Sequence, residues 1–511
     1  MNVEQILENE YKLHPQIIKV LLKKGISDLD LVKSLFQPTI ENLLPPRAIP
    51  NMELALKEIL KYASKETILI WGHDDLDGTT STAILIKTLN MLESNSIYYI
   101  PKRNSEGHKL NKFGVDYAYE NNIKLIICVD TGLSSYEEVE YANEKGISVI
   151  IADHHELPQQ LPNAIIVNPK MGGSFPHISA SLLSLKIAIG LLNLKFKYDI
   201  NYIISNMPEL IIYSALGIIA DKVPMFSENK IIVDLAKELI NRYSFPLFKI
   251  FSMITGQSPN LYSIIPTLSS IHSEGFRHIA VELLLSNDEM FIEEHFIKIY
   301  KKTKDTLSKL DQEVIRIKNE NKRVKGYLLL DLRHIEPEYI GYIAGKIKEI
   351  YKVPVIAISA DEINKIVGEI RAPWGYNMLD FLNSISDLLN SYGGHKLACG
   401  FSMDVENLYD FIEEVERYFS NYKKQDDNEN YDLILDKFDD EIIQNIDNLR
   451  KLGVRFRILF KGNLKDIVSK IKYYPIIDPN QILSIYAPED LNYIVVLAME
   501  DGFKIEEIGW F

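Results

Sequence analysis

Five short apolar runs alternate with stretches of helical length: TILIW (67–71), IYYI (97–100), KLIICVD (124–130), ISVIIAD (147–153) and AIIVNP (164–169). The spacers at 80–92, 112–121 and 135–145 carry helix-like patterns. Strands that are apolar on consecutive residues, separated by helices, belong to a parallel sheet covered on both faces. Such sheets bind ligands at the carboxyl ends of their strands. The residues that follow each run are therefore the ones to read for chemistry.

Those residues are acids and histidines. The first run is followed by Gly72-His73-Asp74-Asp75-Leu76-Asp77-Gly78, the third by Asp130-Thr131-Gly132 and the fourth by Asp153-His154-His155-Glu156. Asp221 ends a further apolar run, 215–220. So many like charges at one rim repel, and cations relieve the repulsion. Carboxylate with imidazole, without thiolate, suits Mn²⁺ or Mg²⁺ better than structural zinc. Two such ions about 4 Å apart are a standard engine for phosphodiester hydrolysis. Taken singly, each motif has a plainer reading: Asp130 as a helix N-cap, Asp75 and Asp77 with Gly78 as a turn, His154-His155 as a chance pair. Walker and GxGxxG patterns are absent, so a nucleotide cradle has no support.

The rest of the chain divides by composition. Residues 1–50 read as a helical lead-in, 51–300 as the α/β domain with a helical second half, and 301–325 as a charged connecting helix. A second α/β domain is expected over 326–422, a polar linker over 423–430, and a β-rich module over 431–511. Within that module, residues 450–472 hold Arg450, Lys451, Arg455, Arg457, Lys461, Lys465, Lys470 and Lys472 against the single acid Asp466, with Phe456, Phe460, Tyr473 and Tyr474 interleaved. Bases among aromatic platforms are what single strands need. The competing reading is a strand pair with its cations in solvent and its aromatics in the core.

Two cysteines, Cys128 and Cys399, exclude a disulfide framework and a cysteine zinc cage. The N-terminal MNVEQILENEYK lacks an apolar core, so no signal peptide is expected, and no apolar run reaches membrane-spanning length. A cytoplasmic protein is expected. The net charge of −15 at first argues against a nucleic-acid partner, but it averages an acidic rim with a local basic stretch.

Further motifs accompany the rim: Thr80-Ser81, Pro101-x-Arg103 with Glu106-Gly107 and Leu110-Asn111, Val167-Asn168-Pro169, Leu216-Gly217-x-x-Ala220-Asp221, and Gly393-Gly394-His395 with Ala398 and Gly400. With the Asp75-x-Asp77-Gly78, Asp130-x-Gly132 and Asp153-His154-His155 motifs, in this order, the chain resembles the DHH phosphoesterase superfamily and, within it, the RecJ single-strand-specific exonucleases. The lead-in, from Leu21-Leu22-x-x-Gly25-Ile26 to Asn51-Met52, resembles theirs as well.

The resemblance implies a parallel-sheet DHH domain, a DHH-associated domain after a long helix, and an OB-like module at the end. It implies a two-metal 5′→3′ exonuclease on single-stranded DNA, serving repair and recombination with Mn²⁺ or Mg²⁺. Asp75 would hold one ion, with His73 as a further candidate, and Asp77, His154 and Asp221 the other, with Asp130 bridging. His155 would contact the scissile phosphate. Arg103, Arg371, Gly393, Gly394 and His395 would hold substrate phosphates from both sides of an interdomain cleft, and Arg455, Phe456, Arg457 and Lys461 would contact the strand. A monomer working with a single-strand-binding protein and a helicase is implied. His73 stands where bacterial relatives usually carry Asp. Glu369 stands where the family tends to carry Ser, and a carboxylate there repels a terminal phosphate unless it points away. Two other readings stay open: a DHH enzyme for short oligonucleotides, nucleotide bisphosphates or cyclic dinucleotides, and a non-catalytic DNA-binding relative.

Overall fold

The five apolar runs are strands Ile68–Trp71 (β1), Ser96–Tyr99 (β2), Leu125–Val129 (β3), Ser148–Ala152 (β4) and Ile165–Val167 (β5). The structure, a computed structural model, describes residues 2–321, 324, 326–360, 365–373, 375–422, 431–461, 470, 474 and 493–509. All five strands are parallel, in the order β2-β1-β3-β4-β5. Alternate residues enter different cores. Ile68, Ile70, Leu125 and Ile127 join one, and Leu69, Trp71, Ile126 and Cys128 the other. Burial of both faces is why these strands are apolar without alternation.

The chain separates into two units, Met1–Tyr300 with Leu433–Phe511, and Lys301–Asp432. In the first, the helices Ala180–Phe196 and Pro208–Ala220 are buried over most of their length and pack beside the helix Leu76–Met91. The lead-in helices Val3–Asn9, Pro15–Lys23 and Leu29–Phe36 bury Leu7, Ile17, Leu21 and Leu31 in the same core. A buried ion pair fastens the end of the lead-in. Lys186 pairs with Glu228 and donates to Leu44 O at 2.6 Å, and Glu228 accepts Leu44 N at 3.0 Å. The long helix runs Glu289–Glu320, starting earlier than its charge pattern suggests.

The second unit carries Leu328–Asp331 (β6), Val355–Ala360 (β7), Ile366–Arg371 (β8), Ser391–His395 (β9) and Ala398–Met403 (β10), in the order β6-β7-β8-β10-β9. Only β6 and β7 are parallel, joined by the helix Pro337–Tyr351.

The C-terminal region belongs to the first unit. Leu433–Leu435 (β11), Phe456–Lys461 (β12), Tyr493–Met499 (β13) and Gly502–Gly509 (β14) form one sheet, β11 parallel to β12 and the rest antiparallel. The region is β-rich as expected. Closure into an OB-like barrel rests on residues 462–492, which apart from 470 and 474 lie outside the described residues. Its core residues Ile443, Ile446, Phe456 and Ile458 merge with the first core. His14 N donates to Asn445 Oδ1 at 2.7 Å. Gly453, at φ +89°, passes so close to Met225 O that a Cβ would lie 1.6 Å from it.

Candidate metal centre

The loops after β1, β3 and β4 meet at the carboxyl ends of those strands. Asp75 caps the helix Leu76–Met91, its Oδ1 accepting Gly78 N at 2.8 Å. Gly78 is required there, since a Cβ would lie 2.5 Å from His73 O. Two residues on, Asp77 is buried and points at a second helix, Oδ2 accepting Ala180 N at 2.7 Å and Oδ1 Ser181 N at 3.0 Å. A helix N-terminus stabilises a carboxylate this way. Asp130 leaves β3 in the left-handed region, φ +60°, with its N–H on Ala152 O at 3.0 Å. Such a conformation is costly for a residue with a side chain and clusters at functional sites.

Asp130 faces two groups. Its Oδ2 lies 3.5 Å from His73 Nδ1, which stands 2.9 Å from Asp75 Oδ2. Its Oδ1 lies 3.2 Å from His154 Nε2, itself 3.8 Å from Asp77 Oδ2 and 3.7 Å from Asp221 Oδ2. Three sets of donor atoms therefore converge within 4.8 Å: His73, Asp75 and Asp130; Asp77, His154 and Asp221; Asp130, His154 and His155. Asp130 Oδ1 and His73 Nδ1 are buried without an aligned hydrogen bond among the described residues. Buried polar atoms left so are costly unless an ion or water completes them, and hard oxygen donors with imidazoles fit Mn²⁺ or Mg²⁺.

The electrostatics fit as well. Burial opposes charge on His73, but Asp130 and Asp75 outweigh it and push the imidazole up to about 11. His154 is pushed up to about 10, again against burial, by Asp130, Asp77 and Asp221. Burial and then the Asp130 charge push Asp77 up to about 7. Burial raises Asp221 too. The protonated imidazoles compensate an excess of carboxylate that cations would otherwise balance.

His155 is oriented from behind. Its Nδ1 lies 2.7 Å from Asp153 Oδ1, which also accepts the backbone N–H groups of His154 and His155. That contact raises the imidazole, and His155 in turn lowers Asp153 against the effect of burial. Asp153 was legible only as part of its motif. Asp74 was missed altogether, though three acids within four residues could have flagged it.

The other candidates fall elsewhere. Arg103 opens the short helix Arg103–Glu106, and its side chain lies outside the described residues. In the second unit, Arg371, Ala398 and His395 occupy one row across β8, β10 and β9. Arg371 Nη1 donates to Glu369 Oε2 at 2.6 Å, so Glu369 points toward the guanidinium. Gly393, Gly394 and His395 are exposed, and Gly394 takes φ +124° where a Cβ would meet Ala398 O.

The C-terminal basic–aromatic pattern needs correction. Phe456 and Phe460 are fully buried, as is most of Arg457. Arg450 is buried too, bonded to Asp447 and to the carbonyls of Met499 and Glu500. β12 is covered on both faces, so its aromatics build core and cannot stack bases. Arg455 is exposed and Lys461 partly so. Exposed rings occur instead near the metal rim, where Phe276 packs 4.7 Å from Tyr99 at the end of β2 and Phe113 lies 5.2 Å from Tyr99.

Residues 67–216 match the DHH family, N-terminal domain, and residues 325–421 the DHHA1 domain. The chain is 27% identical over 438 residues to the single-stranded-DNA-specific exonuclease RecJ of Bacillus subtilis, a match covering 82% of this chain and 54% of that one. The chain thus spans about half the length of this relative. Against the Haemophilus influenzae protein of the same name it is 29% identical over 403 residues, 73% of this chain and 70% of that one. A crystal structure of exonuclease RecJ bound to manganese shares the fold at TM-score 0.64 and 22% identity, over 75% of this chain and 97% of that one. RecJ in complex with Mn²⁺ from Thermus thermophilus does so at TM-score 0.66 and 18% identity, over 98% and 71%. Among the described residues no single helix is long and apolar enough to cross a membrane.

Proposed function

We propose, from the matches of residues 67–216 to the DHH family, N-terminal domain, and of residues 325–421 to the DHHA1 domain, that this chain is a DHH-family two-metal phosphodiesterase, a 5′→3′ exonuclease that degrades single-stranded DNA in repair and recombination. The observation that carries the reading is Asp130, whose two oxygens face separate histidine–carboxylate groups. The name of the RecJ relatives supports the strand class, and the polarity is what the family resemblance implies.

His73 and Asp75 would hold one divalent cation, and Asp77, His154 and Asp221 the other, with Asp130 shared. Mn²⁺ or Mg²⁺ bound there would supply a water of lowered pKa and charge to balance the leaving oxyanion. His155, fixed at Nδ1 by Asp153, would donate from Nε2 of its imidazolium to a phosphate oxygen as charge develops. Arg371 would take the terminal phosphate, and His395 with the backbone at Gly393 and Gly394 other substrate phosphates. The exposed rings of Phe113 and Phe276 offer faces on which unpaired bases stack. Arg455 and Lys461 remain candidates for phosphate contact through charge. The same reading takes the protein as a cytoplasmic monomer working beside a single-strand-binding protein and a helicase.

The deciding experiment compares Mn²⁺-dependent turnover of a long 5′-labelled single strand, its duplex and a dinucleotide. Preference for the long single strand is expected. Faster cleavage of the dinucleotide would sink the reading in favour of a small-substrate DHH enzyme.

A further inference from the structure

Asp74 stands in sequence between His73 and Asp75, yet its carboxylate serves a different segment. It is buried. Its Oδ1 accepts Ser273 N at 2.9 Å and lies 3.0 Å from His278 Nε2. His278 Nδ1 accepts Ala280 N at 3.2 Å, so Nε2 carries the proton and donates to Asp74. Oδ2 has no aligned hydrogen bond among the described residues, and His272 Nδ1 stands 3.5 Å from it.

The same segment is tied to the strand ends at other points. Ile100 N donates to Gly275 O at 3.1 Å, and Ser273 Oγ donates to Ile100 O. Gly275, at φ +93°, lies against the Tyr99 ring, where a Cβ would approach to 3.0 Å. Within this fixed segment the two histidines differ. The His278 side chain is 1% exposed, whereas that of His272 is 46% exposed. An imidazole at the surface with Nδ1 beside a buried carboxylate is held in orientation, and its imidazolium form, which the carboxylate favours, has a donor at each nitrogen.

We propose that His272, positioned by Asp74 and acting as the imidazolium with a proton on each nitrogen, donates from Nε2 to a phosphate oxygen of the strand bound at the metal centre. Asp74 is the positioning residue: its backbone belongs to the loop of His73 and Asp75 and its side chain to the segment of His272. The proposal rests on the nuclease reading above.

The test uses the full chain with Mn²⁺ and a 5′-labelled oligothymidylate. His272→Ala is expected to lower kcat/KM about tenfold, with Mn²⁺ affinity by calorimetry and melting temperature unchanged, because the side chain is exposed. His272→Gln, which keeps a donor, is expected to recover part of the loss. Asp74→Asn should act in the same direction, and His272→Ala combined with Asp74→Asn should be no worse than His272→Ala alone. Additive losses, or wild-type kcat/KM in His272→Ala, overturn the proposal. A wild-type chain inert on the oligothymidylate refutes instead the nuclease reading beneath it.

Discussion

Gly217 is small so that Asp77 can be where it is. A Cβ on Gly217 would lie 2.3 Å from Asp77 Oδ1 and 2.2 Å from Ser181 Oγ. The helix Pro208–Ala220 therefore shapes the metal centre twice, by yielding to Asp77 and by placing Asp221 at its C-terminus.

Gly217→Ala should displace the Asp77 carboxylate from the helix N-terminus at Ala180. Mn²⁺ affinity is expected to fall about 10- to 100-fold, as when a group supporting a metal ligand is lost. Calorimetric titration reads this directly. Unchanged affinity would mean that Asp77 does not ligate.

Asp130→Ala removes the carboxylate that faces both donor groups. Mn²⁺-dependent cleavage should drop by about a thousandfold or more, while single-strand binding measured by anisotropy is retained. Residual nuclease activity near wild type would overturn the shared-ligand assignment.

The raised imidazoles predict opposite pH trends for stability and metal binding. His73 and His154 start from 6.5 and reach about 11 and about 10 in the folded, metal-free chain. Their stabilisation is complete below pH 6.5, where folded and unfolded states are both protonated. It declines as the unfolded state deprotonates and is gone once pH passes the folded values. Asp77, raised to about 7, disfavours the folded state as pH climbs from 3.8 and adds nothing further above 7. The melting temperature of the metal-free chain should therefore fall between pH 7 and 10. Mn²⁺ affinity should rise over the same window, because binding must release the imidazole protons. An affinity flat with pH would show that neither histidine ligates.

Glu369 engages the Arg371 guanidinium, which under the proposed function would otherwise meet a terminal phosphate. The wild-type chain is expected to discriminate weakly between 5′-phosphate and 5′-hydroxyl ends. Glu369→Ser should raise that preference about tenfold through one freed charge-assisted contact. A strong 5′-phosphate preference in the wild type would place Arg371 outside the end-binding site.

Phe456 tests the corrected C-terminal reading. Phe456→Ala should cost about 3–5 kcal/mol of stability, as is usual for emptying a buried aromatic site, without a specific loss of strand affinity in the folded fraction. Denaturant melts and anisotropy separate the two effects.

What was legible in the chain follows the range of the interactions. The strands of the first sheet were readable because burial on both faces makes each run apolar throughout. The acids and histidines of the rim were readable because each follows its own strand within a few residues. Asp74 was passed over although it sits among three acids in four residues, because the partners that give it a role lie about 200 positions away. The Arg-Phe-Arg alternation at 455–457 was misread for a related reason. A half-exposed strand has that pattern, but β12 is buried on both faces, in a core it shares with residues far away in sequence.

The merged core of the first unit has a consequence for the order of synthesis. Ile443, Phe456 and Ile458 complete a core begun by the lead-in helices, and the whole second unit intervenes in the chain. A nascent polypeptide that has emerged only as far as Tyr300 still lacks this covering and must hold apolar surface open while the inserted unit is made. Completion of the first unit's core is thereby expected late, because its contacts across the insertion are non-local.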